Sequence, residues 1–253
     1  MPPSKFEDHF SAHSADYHRH RPSCPPELLR HLSALCEKHL VTVDCGTGNG
    51  QVVQCSAEHF TQAIGIDASR AQLSEAEEGA NIEYRHGVAE ALPVEADSVD
   101  LVTASKAFHW FNRPRVLAEI QRILRSGGIM ALWNTGFPKI VEAPGALEEL
   151  REGKLGKYWP QARQDVTQDW YQNLDLPSGF QDITPIINTV TAVHYDLEQL
   201  LGWISTWSST QNFVDEHGID PTDEFKQQVS AALSEYGQVT VRSGVEMKVG
   251  RKD

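Results

Sequence analysis

The feature that most constrains this chain is the stretch Val41-Thr42-Val43-Asp44-Cys45-Gly46-Thr47-Gly48-Asn49-Gly50. A short β-branched run closes on an acid, and glycine then stands at every second position. The helix-like run Val52–Ala57 follows. The order reads as strand, tight turn, helix, which presents backbone N–H groups and a helix N-terminus to a nucleoside. Glycine is needed where such a turn takes positive φ and where a Cβ would block a ligand.

The pattern continues along the chain. Pro25-Pro26-Glu27 opens a helix with Leu28, Leu29, Leu32 and Leu35 on one face. Ala63–Asp67 is a second short strand that ends in an acid, and Ser69 with Gln72 is a capping-box match that starts a helix over 69–78. Ile82–His86 and Val99–Ala104 read as strands three and four. A helix over 113–124 stops at Arg125-Ser126-Gly127-Gly128, and Ile129–Trp133 is strand five. Strands alternating with helices predict a doubly wound, mostly parallel sheet.

The alternation breaks over 134–180, which is polar, carries Trp159 and Trp170, and shows no strand. We read it as an inserted helical lid. β character resumes over 183–193, and Asp196–Trp207 is helical with Asp196 as N-cap. Phe225, Val229 and Leu233 mark one more helix, and Val239–Val241 and Val245–Val249 are strands either side of Ser243-Gly244. The expected organisation is an arm over 1–23, an α/β core over 24–133, a lid over 134–182, and the rest of the sheet with substrate-side helices over 183–253.

The 253 residues suit one α/β domain with a lid. A net charge of −13 repels phosphate backbones and anionic lipid, which argues against nucleic acid or a membrane as partner. No apolar run approaches membrane-spanning length and no charged-then-apolar leader precedes residue 30, so the expectation is a cytoplasmic protein. Four cysteines without a CxxC read as free thiols. His9 and His13 have helical i,i+4 spacing, but without carboxylate or cysteine support they read as part of a solvated arm, and no metal is expected. Phe6, Phe10 and Tyr17 give that arm apolar anchors.

The glycine turn narrows the cofactor. A dinucleotide fingerprint needs a small residue three positions past the second glycine. Here Gln51 stands there, and the third glycine comes one position early. A P-loop is excluded because no Gly-Lys-Ser/Thr follows. S-adenosylmethionine has no pyrophosphate. It needs space for its methionine part, an acid for the ribose and an apolar slot with a polar edge for adenine. Asp67 lies about twenty residues past the turn, where a βαβ unit places a ribose acid. Ala89-Glu90 offers a small residue and an acid for the adenine rim.

These blocks carry a family resemblance. Val41–Gly50, Gly65-Ile66-Asp67-Ala68-Ser69, Gly87–Pro93 with Asp97–Val102, and Ile123–Gly128 resemble, in order and spacing, the motifs of class I S-adenosylmethionine-dependent methyltransferases. Asp44-Cys45-Gly46 departs slightly from the family's first motif, which has a glycine where none stands between acid and cysteine here. Phe10…Tyr17-His-Arg-His-Arg21-Pro22, Ala107-Phe108-His109-Trp110-Phe111 and Trp203–Ser209 are similar to the trans-aconitate methyltransferase-like group of small-molecule enzymes.

The resemblance implies a Rossmann-like, seven-stranded sheet, S-adenosyl-L-methionine as cofactor and S-adenosyl-L-homocysteine as product. It implies cofactor contacts from Tyr17, Arg21, Asp44, Gly46, Gly48, Gly50, Asp67, Ala68, Ala89, Glu90 and Ser105. Tyr17 and Arg21 would reach the methionine carboxylate, for which an arginine fork is suited. It implies a substrate pocket with Trp110, Trp133, Asn134 and Trp207, and His109 as the catalytic candidate, either as a base or as a hydrogen-bond donor to substrate. The expected reaction is in-line methyl transfer to a small molecule, a carboxylate or hydroxyl acceptor, by a monomer or homodimer. An NAD-linked oxidoreductase and a non-catalytic S-adenosylmethionine-binding module are the alternatives.

Overall fold

The computed structural model describes residues 24–167, 170–185 and 190–253. The arm over 1–23, with Tyr17, Arg21, His9 and His13, lies outside the described residues.

Pro26 opens helix α1 (Pro26–Ala34), where a missing N–H breaks no helical bond, and Leu28, Leu29 and Leu32 are buried beneath it. Strand β1 (Val41–Cys45) and β2 (Gln62–Asp67) flank α2 (Gln51–Ala57), which starts directly after Gly50. Helix α3 (Arg70–Ser74) is capped by Ser69, whose side chain accepts from the Gln72 N–H. It ends four residues before the expected boundary. Glu75, Glu77 and Glu78 follow in sequence, and acids oppose the dipole at a helix C-terminus.

Strands β3 (Ile82–His86) and β4 (Val99–Ser105) lead to α4 (Arg113–Ile123), which Asn112 caps by accepting from the Arg115 N–H. The glycine pair after α4 does not stop a helix. β5 (Leu124–Thr135) starts at once, and Leu124 already pairs with Val99. Gly127 (φ 77°) lies where the β4–β5 register shifts, so the pair serves a bulge inside a strand more than twice the expected length. Arg125 holds this bend by pairing with the buried Asp100 at 3.0 Å.

The strands lie in the order β3-β2-β1-β4-β5-β9, with β6 beyond β9. The pairs among β1 to β5 are parallel, and β9 (Val239–Lys252) runs antiparallel to β5. Among the described residues the sheet has nine strands where seven are expected, because the long β9 also pairs with the short β6 (Lys139–Ile140), β7 (Phe180–Asp182) and β8 (Val190–Tyr195). Of these, β6 falls in the stretch expected to hold no strand, and β7 starts at its last residue. They are two and three residues long, too short to show an alternation. Ser243-Gly244 is no turn: both residues pair with β8, so β9 runs through them as one strand.

Among its described residues, 134–182 also holds short helical pieces: Ala146–Glu148, the π-helical Glu149–Lys154, the 3-10 turn Gly156–Tyr158 and α5 (Gln161–Thr167). Helix α6 (Leu197–Ser205) has the full capping box of Asp196 and Gln199. Helix α7 (Ser208–His217), absent from the sequence reading, ends on Gly218 at φ 67°. Helix α8 (Asp223–Tyr236) completes the set. One core packs α4 and Phe108 on Val43, Ile64, Val102 and Leu132. A second joins the insertion to α6, α7 and α8 around Leu147, Leu155, Trp203, Ile204, Trp207 and Phe225. Among the described residues no helix is long and apolar enough to cross a membrane. The four cysteines are free thiols.

Candidate active site

The strand order reverses between β1 and β4, and the crevice at the carboxyl ends of such strands is where open α/β sheets bind ligands. The glycine turn sits there. Gly46, Gly48 and Gly50 have φ of 70°, 58° and 85°. Gly46 also lies so close to the loop after β4 that a Cβ would meet Ala107 Cβ at 2.6 Å and the Phe111 ring at 2.9 Å. The turn's amides are already committed. Gly46 N and Thr47 N donate to Ile66 O at 2.8 and 3.1 Å, Gly48 N to Asp67 Oδ2 at 2.8 Å, and Gly50 N to Thr47 O at 3.0 Å. A turn so occupied leaves no row of N–H groups to cradle a pyrophosphate, which fits a nucleoside lacking one.

Asp67 therefore pins the turn. Its other oxygen, Oδ1, accepts from Ser69 N at 2.8 Å. A carboxylate has about four lone-pair sites, so both oxygens keep acceptor capacity. Asp44 is buried at the end of β1, and Thr103 Oγ1 donates to its Oδ1 at 2.6 Å. Burial pushes its carboxyl up to about 7, against the hydrogen bonds from Thr103 and Thr47, with the Asp67 charge adding to the rise. A cation bound beside this acid would lower that value again and restore its charge. S-adenosylmethionine carries both an ammonium and a sulfonium, so the donor set fits it.

The remaining cofactor candidates are spread around this crevice. Glu90 Oε1 accepts from Asn112 N at 2.8 Å and so ties the loop after β3 to the start of α4. Ala89 is buried in the core beside that loop. The Ala68 carbonyl is 3.1 Å from His86 Nε2. Ser105, at the end of β4, borders a small cavity of about 70 Å³ with Gln51, Val52 and Trp133.

A larger cavity of about 370 Å³ opens beyond the ends of β4 and β5. Trp110, Asn134 and Trp207 line it, as does His109. Trp133 does not. It is buried between α1 and β9, because alternate residues of β5 face opposite sides of the sheet and Asn134 takes the cavity side. The cavity's other walls come from 134–182, from α6 and from the residue after β4, and Trp159, Arg151, Arg163 and Lys106 were not among the expected pocket residues. Trp159 and Trp203 stand against Trp207 with ring centres 5.7 and 5.1 Å away. Lys106, Arg151 and Arg163 bring positive charge. Arg151 is 7% exposed, its guanidinium lies 3.7 Å from the Phe137 ring centre, and it pairs with Glu152 at 2.5 Å. No periodicity flags an arginine on a π-helical turn; only the cluster of tryptophans hinted at a pocket.

His109 sits on a 3-10 turn (Phe108–Trp110), almost fully buried, with Nδ1 3.2 Å from the Tyr171 hydroxyl. Burial first, then the charges of Arg163 and Arg113, lower its pKa from 6.5 to about 3. The ring is neutral at pH 7 and a weak base, which favours the hydrogen-bonding role over proton abstraction. A lowered folded-state value makes the unfolded chain bind more protons between about pH 6.5 and 3, so stability is lost as pH falls through that window. The expected slope from this one ring approaches 1.4 kcal/mol per pH unit. Chemical denaturation of the wild type and His109→Gln across pH 3–6.5 checks it: the variant loses this share of the acid sensitivity.

A methyltransferase domain family matches residues 43–132. A Dictyostelium discoideum protein named as a methyltransferase is 31% identical over 231 residues, 89% of this chain and 86% of its own length. A Saccharomyces cerevisiae protein named as an S-adenosylmethionine-dependent methyltransferase is 36% identical over 145 residues, 53% of this chain and 49% of its own. The solved structure of a protein named as a type II methyltransferase, from Anaeromyxobacter dehalogenans, superposes with a TM-score of 0.80 at 27% identity, covering 91% of this chain and 97% of that one. With the sheet order, the glycine turn and these matches together, the chain belongs to the S-adenosylmethionine-dependent methyltransferases.

Proposed function

We propose that the enzyme methylates a small molecule that carries a carboxylate on an apolar body, held in the 370 Å³ cavity. The observation that carries this reading is the pairing of a nearly buried Arg151 with tryptophan walls in one cavity of ligand size. An arginine fork matches a carboxylate, and removal from water strengthens that bond. The net charge of −13 disfavours nucleic acid, while the local cations offset it for a small anion.

On this reading Asp67 holds the ribose hydroxyls, Asp44 faces the cofactor's cationic part, Ala89 and Glu90 edge the adenine, and Gly46, Gly48 and Gly50 let it approach. Ala68 and Ser105 border the same crevice. When bound, S-adenosylmethionine supplies a methyl group already activated for displacement. The chain's task is then alignment, which in well-oriented systems is worth up to about 7–11 kcal/mol. A carboxylate is deprotonated at pH 7, so a neutral His109 suffices. Residues 134–182 act as the lid that keeps water out.

Incubation with methyl-labelled cofactor and a panel of small carboxylic acids, read by mass detection, tests the reading. A methyl ester product is the expected result, and label found only on amines or nucleic acid overturns it. Arg151→Gln is expected to raise KM for the accepted acid by about 10- to 100-fold with little change in kcat, because a lone charge-assisted contact is worth about 1.5–3 kcal/mol.

A further inference from the structure

Tyr171 comes from the chain between α5 and β7, far in sequence from His109. It is buried, it packs edge-to-face on Phe108 at 5.6 Å, and it brings its hydroxyl within 3.2 Å of His109 Nδ1. Trp170 and Tyr171 reach this place through φ of 51° and 70°, a strained backbone for two successive residues with side chains. Such strain persists only where the surroundings over-determine it, and it collects at functional sites.

The hydroxyl has one proton to give and two lone pairs to fill. Its oxygen faces two N–H neighbours, the His109 backbone and the Asn134 side chain. Asn134 Nδ2 makes no well-aligned hydrogen bond to any acceptor, and the Tyr171 oxygen is the acceptor it stands beside. With N–H groups on its lone-pair side, the oxygen's one proton is directed to the bare acceptor in reach, Nδ1 at 3.2 Å. Burial pushes Tyr171 up to about 12, so that proton stays in place across the working pH range. A neutral ring that accepts at Nδ1 carries its single proton on Nε2. Nδ1 is spent on Tyr171, so Nε2 is the nitrogen His109 turns to the cavity it lines.

We propose that Tyr171 is a positioning residue that locks His109 in the Nε2–H tautomer, so that the ring offers a hydrogen-bond donor to the substrate and no basic nitrogen. The tautomer does not depend on what the cavity holds; the donor role rests on the reading of the cavity as the substrate site. A donor there grips an oxygen of the acceptor and leaves the nucleophilic oxygen unprotonated. A base there would serve a phenol or an amine.

The test is nitrogen NMR of the full chain labelled at histidine nitrogens, near pH 7. His109→Gln assigns the His109 signals by their loss. The wild type is expected to show Nε2 protonated and Nδ1 bare. Tyr171→Phe keeps the ring packed on Phe108 and removes the hydroxyl, and it is expected to populate the Nδ1–H form. A wild-type Nδ1 that bears the proton, a cationic ring at this pH, or an unchanged ring in Tyr171→Phe overturns the proposal. If Tyr171→Phe does not fold, the wild-type spectrum alone still decides. In turnover, Tyr171→Phe is expected to lower kcat/KM roughly tenfold, equal to about 1.4 kcal/mol. It has no further effect in a His109→Gln background, the mark of two residues acting as one unit. Titration with benzoate separates the two readings. A shifted Nε2 signal supports the donor role. An unmoved signal with the tautomer intact overturns that role and the carboxylate reading while leaving the lock itself standing.

Discussion

Gly46→Ala is expected to destabilise the fold by about 2–5 kcal/mol and to abolish cofactor binding. Two costs add. A residue with a side chain at φ 70° costs about 1–2 kcal/mol. The new Cβ would also meet Ala107 Cβ at 2.6 Å, a group fixed to its own backbone with no torsion to yield. Overpacking of that kind costs about 1–3 kcal/mol. The loop carrying Ala107 and Phe111 must move away from the turn, and His109 and Trp110 move with it. Gly145→Ala is the control: φ there is 86° but nothing lies within 4 Å of the added carbon, so only the first cost applies. Urea denaturation of both variants, with calorimetric titration of S-adenosylmethionine, measures the difference. Equal losses in the two would show that Gly46 is not a close-packed position.

Asp67→Ala is the second large effect. It removes the acceptor for the Gly48 and Ser69 amides, at 2.8 Å each, and on the proposed reading the partner of both ribose hydroxyls. Hydrogen bonds to a charged group are worth about 1.5–3 kcal/mol each, so affinity for S-adenosylmethionine is expected to fall by at least about 100-fold. Asp67→Asn separates the roles. Asparagine retains one acceptor oxygen but turns an N–H₂ toward one amide donor, so it loosens the turn while keeping half of the ribose contact. Affinity within about threefold of wild type in Asp67→Ala, measured by calorimetry, would remove the residue from the cofactor site.

The parts of this molecule that sequence revealed share a physical cause. From β1 to α4 each element is built by local rules: β-branched runs make the strands, Ser69 and Asn112 cap their helices, and glycines take the left-handed turn. Local signals misled where a distant partner decided the outcome. Gly127-Gly128 looks like a helix stop, but pairing of Leu124 with Val99 turns it into a bulge. Ser243-Gly244 looks like a turn, but pairing with Val190 and Thr191 holds it straight. The side that bears the larger cavity was the least legible. Arg151 and Glu152 reach its wall from a π-helical stretch, and Tyr171, which meets His109 behind it, holds a conformation such a residue rarely adopts. Only assembly places Arg151 over Phe137, or Tyr171 beside a histidine 62 positions earlier. His109, Trp110, Asn134 and Trp207 were expected around one pocket and lie together; Trp133 was expected with them and lies on the other side of the sheet.

The long β9 has a consequence for how the chain reaches this state. β1 pairs with β2, and β2 with β3, across short separations, but β5 meets β9 with Ile129 opposite Arg251, more than a hundred residues on. Contacts across such separations close slowly. Until residues 239–252 arrive, the apolar rim of β5 stays open, and an open rim is where one nascent chain adheres to another. The yield of soluble enzyme is therefore set less by the nucleoside-binding half of the molecule than by the speed with which its last strand finds its place.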